Sequence, residues 1–261
     1  MALSRNGAIL YRGPSMINGK PIVVVATGLA TASANPKTGD MIQTYILVDG
    51  KRSPMDAAKR GDDLAICGDC KHRKTNLGSC YVTLVHGPRS VYAGLKRRIY
   101  RRVKPEQLPS IGAGRFVRLG TYGDPMAVPA WVWRGLLADA VGHTGYTHQW
   151  QGTAHGAYSI DPVQQADVLG IVMASVDSCE EAESARALGQ RYFRVRQADE
   201  ALGANEIVCP ASEEAGYKRT CQTCGACKGG TSKTSIAIVV HGATANRFAP
   251  SGKRIALTLA A

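Results

Sequence analysis

The sequence predicts an α/β fold in which a parallel sheet forms part of a barrel. Apolar segments rich in β-branched residues alternate with segments of helical periodicity from about residue 114 onwards. Residues 167–176 are almost continuously apolar, as expected for a strand that is covered on both faces. At least five such strands indicate a TIM-type barrel or part-barrel, in which the chemistry lies at the carboxyl ends of the strands. The expected strands are 114–122, 145–150, 167–176, 191–196, 206–211 and 235–242, and the expected helices are 127–141 and 179–190.

The first 64 residues are expected to form a separate N-terminal unit. Residues 20–50 contain two β-branched segments on either side of the turn-forming sequence NPKTGD, which is the pattern of a β-hairpin. A short lead-in helix follows, with Ser53 as its N-cap and Pro54 in its first position. Residues 65–261 are then expected to form the part-barrel and to carry two cysteine-rich loops.

The segment from Cys209 to Cys227 carries the strongest chemical signal. Cys221, Cys224 and Cys227 follow one another at C-x2-C steps, and Cys209 is followed directly by proline. A C-x2-C-x2-C triplet with a separate Cys-Pro is typical of the cysteines that bind [4Fe–4S] clusters in ferredoxins. Zinc more often takes two paired C-x2-C arms or a mixture of cysteine and histidine. The spacing favours iron–sulfur and leaves zinc open.

A second cysteine group lies between residues 67 and 80. Cys67 and Cys70 form a C-x2-C pair, and Cys80 follows ten positions later. His72 or His86 could complete a Cys3His zinc site, whereas three cysteines alone could hold a cubane with one open iron. The basic residues 71–74 are expected to lower the pKa of the neighbouring thiols.

The charge of the chain favours a polyanionic partner. There are 32 Lys and Arg residues against 20 Asp and Glu residues, a formal net charge of +12. Nucleic acid is therefore a candidate partner, although a solvated helix face would show the same composition. Within LKRRIYRRVK, a segment expected to lie on a helix over about 89–104, six basic residues could contact phosphates: Lys96, Arg97, Arg98, Arg101, Arg102 and Lys104.

Composition also narrows the class of protein. The sequence contains no apolar run long enough to span a membrane and no signal-peptide pattern at its N-terminus, so we expect a cytoplasmic protein. In that compartment eight cysteines favour metal binding over disulfide bonds. No G-x-G-x-x-G fingerprint follows a strand, which argues against a dinucleotide fold.

Polar residues at the predicted strand ends are the candidates for catalysis. They are Asp124, His148, Ser175 and Arg194. Asp124 could equally cap the segment that follows it, and a strand histidine such as His148 is more often hydrogen-bonded structure than a catalyst. Cys179 stands alone at the start of a helix and is expected to have no metal role.

Three local patterns resemble radical-SAM-related proteins encoded by bacteriophages. They are the pair Cys80-Tyr81; GTYGDPMAVPAWVWRGLLADA followed by YTHQW; and GIVMASVDSCEEAESARALGQRYFRV. In this order they cover roughly residues 65–200. The resemblance implies a bacteriophage protein that works in the host cytoplasm.

The resemblance also implies a set of ligands. Cys67, Cys70 and Cys80 would hold a [4Fe–4S] cluster with one iron open to S-adenosylmethionine, and the Cys209–Cys227 loop would hold an auxiliary cluster. The usual spacing in that family is C-x3-C-x2-C, whereas this chain has C-x2-C-x9-C. The resemblance and the two cysteine groups together lead us to expect an iron–sulfur enzyme acting on nucleic acid or a nucleotide. The alternative is a non-enzymatic zinc protein that binds DNA or RNA.

Overall fold

The computed structural model describes residues 3–33, 35–152, 154–155, 158–230 and 234–249. Its strands are β1 (Gly7–Pro14), β2 (Pro21–Thr27), β3 (Ile42–Val48), β4 (Arg101–Arg102), β5 (Phe116–Tyr122), β6 (Gly142–Thr144), β7 (Tyr146–Thr147), β8 (Ala154–His155), β9 (Tyr158–Ser159), β10 (Met173–Val176), β11 (Tyr192–Arg196), β12 (Glu206–Val208) and β13 (Ser235–Val239). Its α-helices are α1 (Pro54–Arg60), α2 (Leu64–Cys67), α3 (Gly87–Lys96), α4 (Leu108–Gly112), α5 (Ala130–Leu137), α6 (Pro162–Leu169), α7 (Cys179–Ala187) and α8 (Cys221–Cys224). Short 3-10 turns lie at Pro105–Gln107, Pro125–Ala127 and Ala245–Arg247.

A mixed sheet is built from the N-terminal half of the chain, in the order β4-β1-β2-β3-β5-β6. The predicted hairpin is confirmed, because β2 and β3 pair antiparallel from Ile22–Val48 to Thr27–Gln43. The sequence analysis did not anticipate β1, which extends the hairpin to a three-stranded antiparallel meander. β3, β5 and β6 are parallel to one another, so the meander continues directly into the α/β part of the fold.

A second sheet contains only parallel strands, in the order β12-β13-β11-β10-β7. The two sheets meet at residues 142–147, where Gly145 separates β6 from β7. β6 pairs with β5 in the first sheet, and β7 pairs with β10 in the second. A Cβ atom at Gly145 would lie 2.8 Å from the Val172 side chain, so the close approach favours glycine here. The α/β class with parallel pairing is confirmed.

The predicted helix over the basic segment is wrong beyond Lys96. Arg98 has a φ of 55°, and its amide N donates to the carbonyl O of Leu95 at 2.9 Å. This left-handed residue ends α3 as a C-terminal cap and turns the chain. Arg101 and Arg102 then pair with β1 as the edge strand β4. Tertiary pairing therefore replaces the helix that the local composition favoured.

The predicted strand over residues 167–176 is also wrong in its first half. The Asp161 carboxylate accepts hydrogen bonds from the amides of Val163 and Gln164, and Pro162 occupies the first turn of α6. This Asp-Pro signal starts a helix that runs through the apolar residues up to Leu169. β10 begins only at Met173.

The hydrophobic core spans the predicted boundary between residues 64 and 65. That boundary lies at the start of α2, and one continuous cluster of buried side chains runs from Ala8 to Val172. The two-part division of the chain stays a prediction. Ser53 and Pro54 start α1 as expected, since the Ser53 hydroxyl accepts from the amide of Asp56. No helix in the described ranges has the length and apolar character to cross a membrane.

Candidate functional site

A cavity of about 240 Å³ lies where the parallel strands end. Seven of the eight cysteines line it, and Cys179 does not. Tyr122, Asp124, His148, Ser175, Cys209 and His241 contribute to its wall and lie at or just after the ends of β5, β7, β10, β12 and β13. The carboxyl ends of parallel strands meet at one edge of a sheet, so this is where residues from distant parts of the chain converge.

The first cysteine group is shaped by a loop that turns back on itself. Cys67 is the last residue of α2, and the amide N of Cys70 donates to its carbonyl O at 3.2 Å. The amide N of Cys80 donates to the carbonyl O of His72 at 2.9 Å, which returns Cys80 to the neighbourhood of Cys70. The nine residues between Cys70 and Cys80 therefore form a loop that returns to its starting point, and the three thiols face the same cavity.

These thiols are costly to ionise without a metal. Burial raises the pKa of Cys67 and Cys70 well above the ordinary value, and the negative charge of the neighbouring thiolates raises it further. Arg73 lowers the pKa of Cys67, as expected for a basic neighbour, but burial outweighs this effect. The Lys71 ammonium lies 3.1 Å from the Asp177 carboxylate, and Arg73 also pairs with Asp63. A bound cation would offset both the burial and the mutual repulsion.

The second cysteine group lies on the same cavity. Cys209 follows β12, and its amide N donates to the carbonyl O of Ala237 at 2.8 Å. Cys221 and Cys224 begin and end the single turn α8, which is capped by the Thr220 hydroxyl. Burial raises the pKa of Cys227 to about 12, although its hydrogen bond with Tyr146 lowers it. Each of Cys209, Cys221 and Cys224 adds to that rise, so the four thiols are close neighbours.

Zinc and an iron–sulfur cluster need different spacings of their thiolate ligands. A zinc ion with Zn–S bonds of about 2.3 Å brings its four sulfurs to about 3.8 Å from one another. Among the described residues, no three cysteine sulfurs lie within 4.8 Å of one another; the one trio that does so consists of His72, His148 and Asp177. A cubane carries a separate iron for each cysteine, so it needs sulfurs that are farther apart. Thiol donors suit both metals, so the donor atoms at this cavity fit an iron–sulfur cluster as well as zinc.

His72 has other partners for both of its ring nitrogens. Its Nε2 lies 2.8 Å from Oδ2 of Asp177, and its Nδ1 lies 2.6 Å from Oγ of Ser79, so both ring nitrogens are engaged. His86 is exposed and lies outside the cavity lining. Burial raises the pKa of Asp177, but the hydrogen bond from His72 and the charges of His72, His148 and Lys71 lower it to about 2. Asp177 follows a predicted strand but was not among the catalytic candidates.

Asp124 anchors the segment that carries His148. Its Oδ1 accepts hydrogen bonds from the amide N of Met126 at 2.9 Å and from the Thr147 hydroxyl at 2.7 Å, and its Oδ2 accepts from the amide N of His148 at 2.8 Å. Asp124 thus caps the 3-10 turn at Pro125–Ala127, as one interpretation of the sequence expected. Asp124, His148 and Ser175 all line the cavity.

Arg194 is the one catalytic candidate that the structure places elsewhere. Side chains alternate along β11, and Phe193 and Val195 line the cavity while Arg194 lies on the opposite face. Its Nε and Nη2 donate to the two carboxylate oxygens of Glu206, each at 2.8 Å, and its Nη1 donates to Glu200 at 3.0 Å. Arg194 is therefore a buried structural ion-pair residue in this fold.

The basic residues of the segment LKRRIYRRVK, which was predicted to be helical, also lie away from the cavity. Lys96, Arg97, Arg98, Arg101, Arg102 and Lys104 are all exposed, and none lines the cavity. They cluster around β4, at the end of the first sheet that is farthest from β6. Any nucleic acid bound there would contact a surface separate from the cysteine cavity.

The pH dependence of folding gives a test of the Asp124 environment. Burial raises the pKa of Asp124 to about 6, despite the hydrogen bonds from Thr147, Met126 and His148. Because the folded pKa exceeds the unfolded value, the stabilisation is complete below pH of about 4 and is lost as the pH rises through about 6. We expect this one group to make the protein about 1.4 kcal/mol more stable at pH 5 than at pH 7.5.

Urea unfolding at the two pH values measures this difference in the wild type and in Asp124→Asn. The variant should lack this contribution, whereas Asp199→Asn, at an exposed position, should keep it. An Asp124→Asn variant with the full wild-type pH dependence would contradict the assignment.

Comparison with known proteins adds no relative to this picture. No protein-family model, no curated protein and no solved structure matches the chain. The cavity is therefore the feature of this protein that bears on its function.

Proposed function

We propose that this chain is an iron–sulfur enzyme of the radical-SAM-like kind that acts on a nucleotide or nucleic acid. The observation that carries the proposal is that both cysteine groups line one cavity at the carboxyl ends of parallel strands. We further propose that the two sheets, joined at residues 142–147, act as one parallel part-barrel around this cavity. The cysteine spacing supports clusters over single metal ions.

The two groups would have different roles in this proposal. Cys67, Cys70 and Cys80 would hold a [4Fe–4S] cluster that, when bound, supplies the electron for cleavage of S-adenosylmethionine. Cys209, Cys221, Cys224 and Cys227 would hold the auxiliary cluster, because four cysteines leave no coordination position open.

The other side chains of the cavity would position and shield the reactants. Phe193, Val195 and Ile238 present apolar surface, which excludes water from the reacting groups. Asp124 holds the start of the His148 segment, and the imidazole of His148 lines the cavity, where it could donate or accept a proton. Ser175 contributes a hydroxyl from the end of β10.

Metal analysis after anaerobic purification tests the proposal. We expect about eight iron ions and about eight sulfide ions per chain, a brown colour and an absorption band at about 400 nm. About two zinc ions per chain and no visible absorption band would contradict the proposal. Reductive cleavage of S-adenosylmethionine by the iron-loaded protein tests the chemistry separately. If the fully loaded protein does not cleave S-adenosylmethionine, it still counts as a cluster-binding protein, but the radical-SAM-like part of the proposal is wrong.

A second candidate function is a zinc protein that binds DNA or RNA without catalysis. The exposed cluster of six basic residues around β4 favours it, since phosphate contacts need charge and little shape. In that case the affinity for a DNA or RNA oligonucleotide should fall steeply with salt. Replacing Arg101 and Arg102 by glutamine should reduce the slope of log affinity against log salt by about 1 to 2. Fluorescence anisotropy at several salt concentrations measures this, and a flat dependence would exclude the electrostatic interface.

A further inference from the structure

Arg118 differs from the buried arginines in the partners of its guanidinium. The buried ones are all engaged: Arg73 with Asp63, Arg194 with Glu206, Arg196 with Glu214, and Arg191 with three backbone carbonyl groups. Arg118 is half-buried on β5, yet within the described residues its guanidinium has no hydrogen bond and no carboxylate partner. A guanidinium carries five donors in a planar fork, and such donors are normally satisfied when they leave water.

The position of Arg118 is set by the strand that carries it. Val117 and Leu119, on either side of Arg118, belong to the hydrophobic core, so Arg118 faces the opposite side of β5, where it lines the cavity. Arg118 lies within electrostatic reach of Tyr81 and Tyr146 and of two cysteines of the second group, Cys221 and Cys227. The guanidinium therefore stands on the cavity wall beside the second cysteine group.

No carboxylate among the described lining residues pairs with this cation. Asp124 is the one carboxylate among the lining residues that the structure describes, and its two oxygens already accept three hydrogen bonds. Lys37 adds a second cation, with its Nζ 3.4 Å from Nε2 of His241. Apart from the cysteines that would hold the clusters, the described lining thus offers two cations and one carboxylate that is already hydrogen-bonded. A planar guanidinium fork matches the two oxygens of a carboxylate or a phosphate.

We propose that Arg118 binds the phosphate or carboxylate group of a small molecule that enters the cavity between the two cysteine groups. A cavity of about 240 Å³ is too small for a nucleic-acid duplex, which limits the ligand to a small molecule. The inference rests on the proposed function for the identity of the reaction, and it narrows the substrate class to small anionic molecules. The binding role itself depends only on the guanidinium and the cavity.

Matched pairs of probes with and without the anionic group test this inference on the anaerobically purified full-length protein. Adenosine 5′-monophosphate against adenosine probes the phosphate, and orotate against uracil probes the carboxylate; ligand-detected NMR measures the affinities. The wild type should bind the anionic member of at least one pair about tenfold more tightly or better, and that pair identifies the group. Arg118→Gln should abolish the preference. Arg118→Lys should keep part of it, because lysine retains the charge without the fork.

The control is Arg5→Gln, which removes an exposed arginine outside the cavity and should keep the full preference. The inference is overturned if the wild type shows no preference in either pair, or if Arg118→Gln keeps it. If Arg118→Gln does not fold, two other measurements decide. The inference is overturned if Arg118→Lys keeps the full preference for the anionic probe and the wild type also keeps it at high salt.

Iron and sulfide are measured on every preparation, so that the two hypotheses fail separately. A wild type that binds no iron but discriminates between the probes removes the proposed function and keeps the anion site. An Arg118→Gln variant that loses iron yet still discriminates would instead show that the guanidinium offsets the charge of a cluster at Cys221 and Cys227, and would overturn the anion site.

Discussion

Replacing Cys224 by serine is expected to reduce the iron content from about eight to about four per chain. Cys224 ends the single turn α8 and faces the cavity with Cys209, Cys221 and Cys227. A serine hydroxyl is a poor ligand for iron at neutral pH, because the thiolate is the species that binds the metal. The first group is built by a different loop, so its cluster should remain. Iron and sulfide analysis with the visible spectrum measures the loss.

Cys179→Ser is the matched control for this experiment. Cys179 is exposed at the first position of α7 and does not line the cavity, so its replacement should leave the iron content unchanged. Equal iron contents in wild type and Cys224→Ser would contradict the auxiliary cluster. A drop in bound zinc of about one ion per chain would favour the zinc interpretation.

Replacing Arg194 by alanine is expected to destabilise the folded protein by about 3–5 kcal/mol. The variant would leave Glu206 inside the protein without its bidentate partner. Burial raises the pKa of Glu206, but the hydrogen bonds from Arg194 and Gly203 lower it below the ordinary value, so the carboxylate is charged in the folded state. Desolvation of a charge without compensation is costly, which is the source of the large effect. Chemical denaturation of the cluster-loaded proteins gives the free energy of unfolding.

Arg134→Ala provides the comparison on the surface. Arg134 pairs with Asp167 at 2.7 Å, but its side chain is 57% exposed, so its loss should cost less than about 1 kcal/mol. An Arg194→Ala variant that is as stable as the wild type but has lost its activity would return Arg194 to the catalytic residues.

The sequence predicted much of the site because its signals are local. Cysteines at C-x2-C spacing and polar residues directly after apolar strands require only short stretches of chain to be recognised, and Asp124, His148 and Ser175 do line the cavity. Arg118 was missed, although its apolar neighbours Val117 and Leu119 place it on the face of β5 opposite the core. The signal was present, but only the structure shows that this face lines the cavity.

The misassigned elements have a common physical cause. The apolar composition of residues 167–176 suits a strand, yet the cap at Asp161 starts a helix that includes the first of them. The composition of residues 97–104 suits a helix, yet pairing with β1 makes a strand of two of them. In both cases a capping signal or a distant pairing outweighs the weak local preference.

By itself the sequence determined the α/β class, the N-terminal hairpin and the donor atoms available to a metal, because strand patterns, turn residues and cysteine spacing are properties of neighbouring residues. Only the tertiary structure decided that two cysteine groups more than a hundred residues apart open into one cavity. It also decided that Arg194 points away from that cavity while Arg118 lines it. The physical reason is that strand order and the orientation of each sheet face depend on pairing between distant segments, which no local pattern encodes.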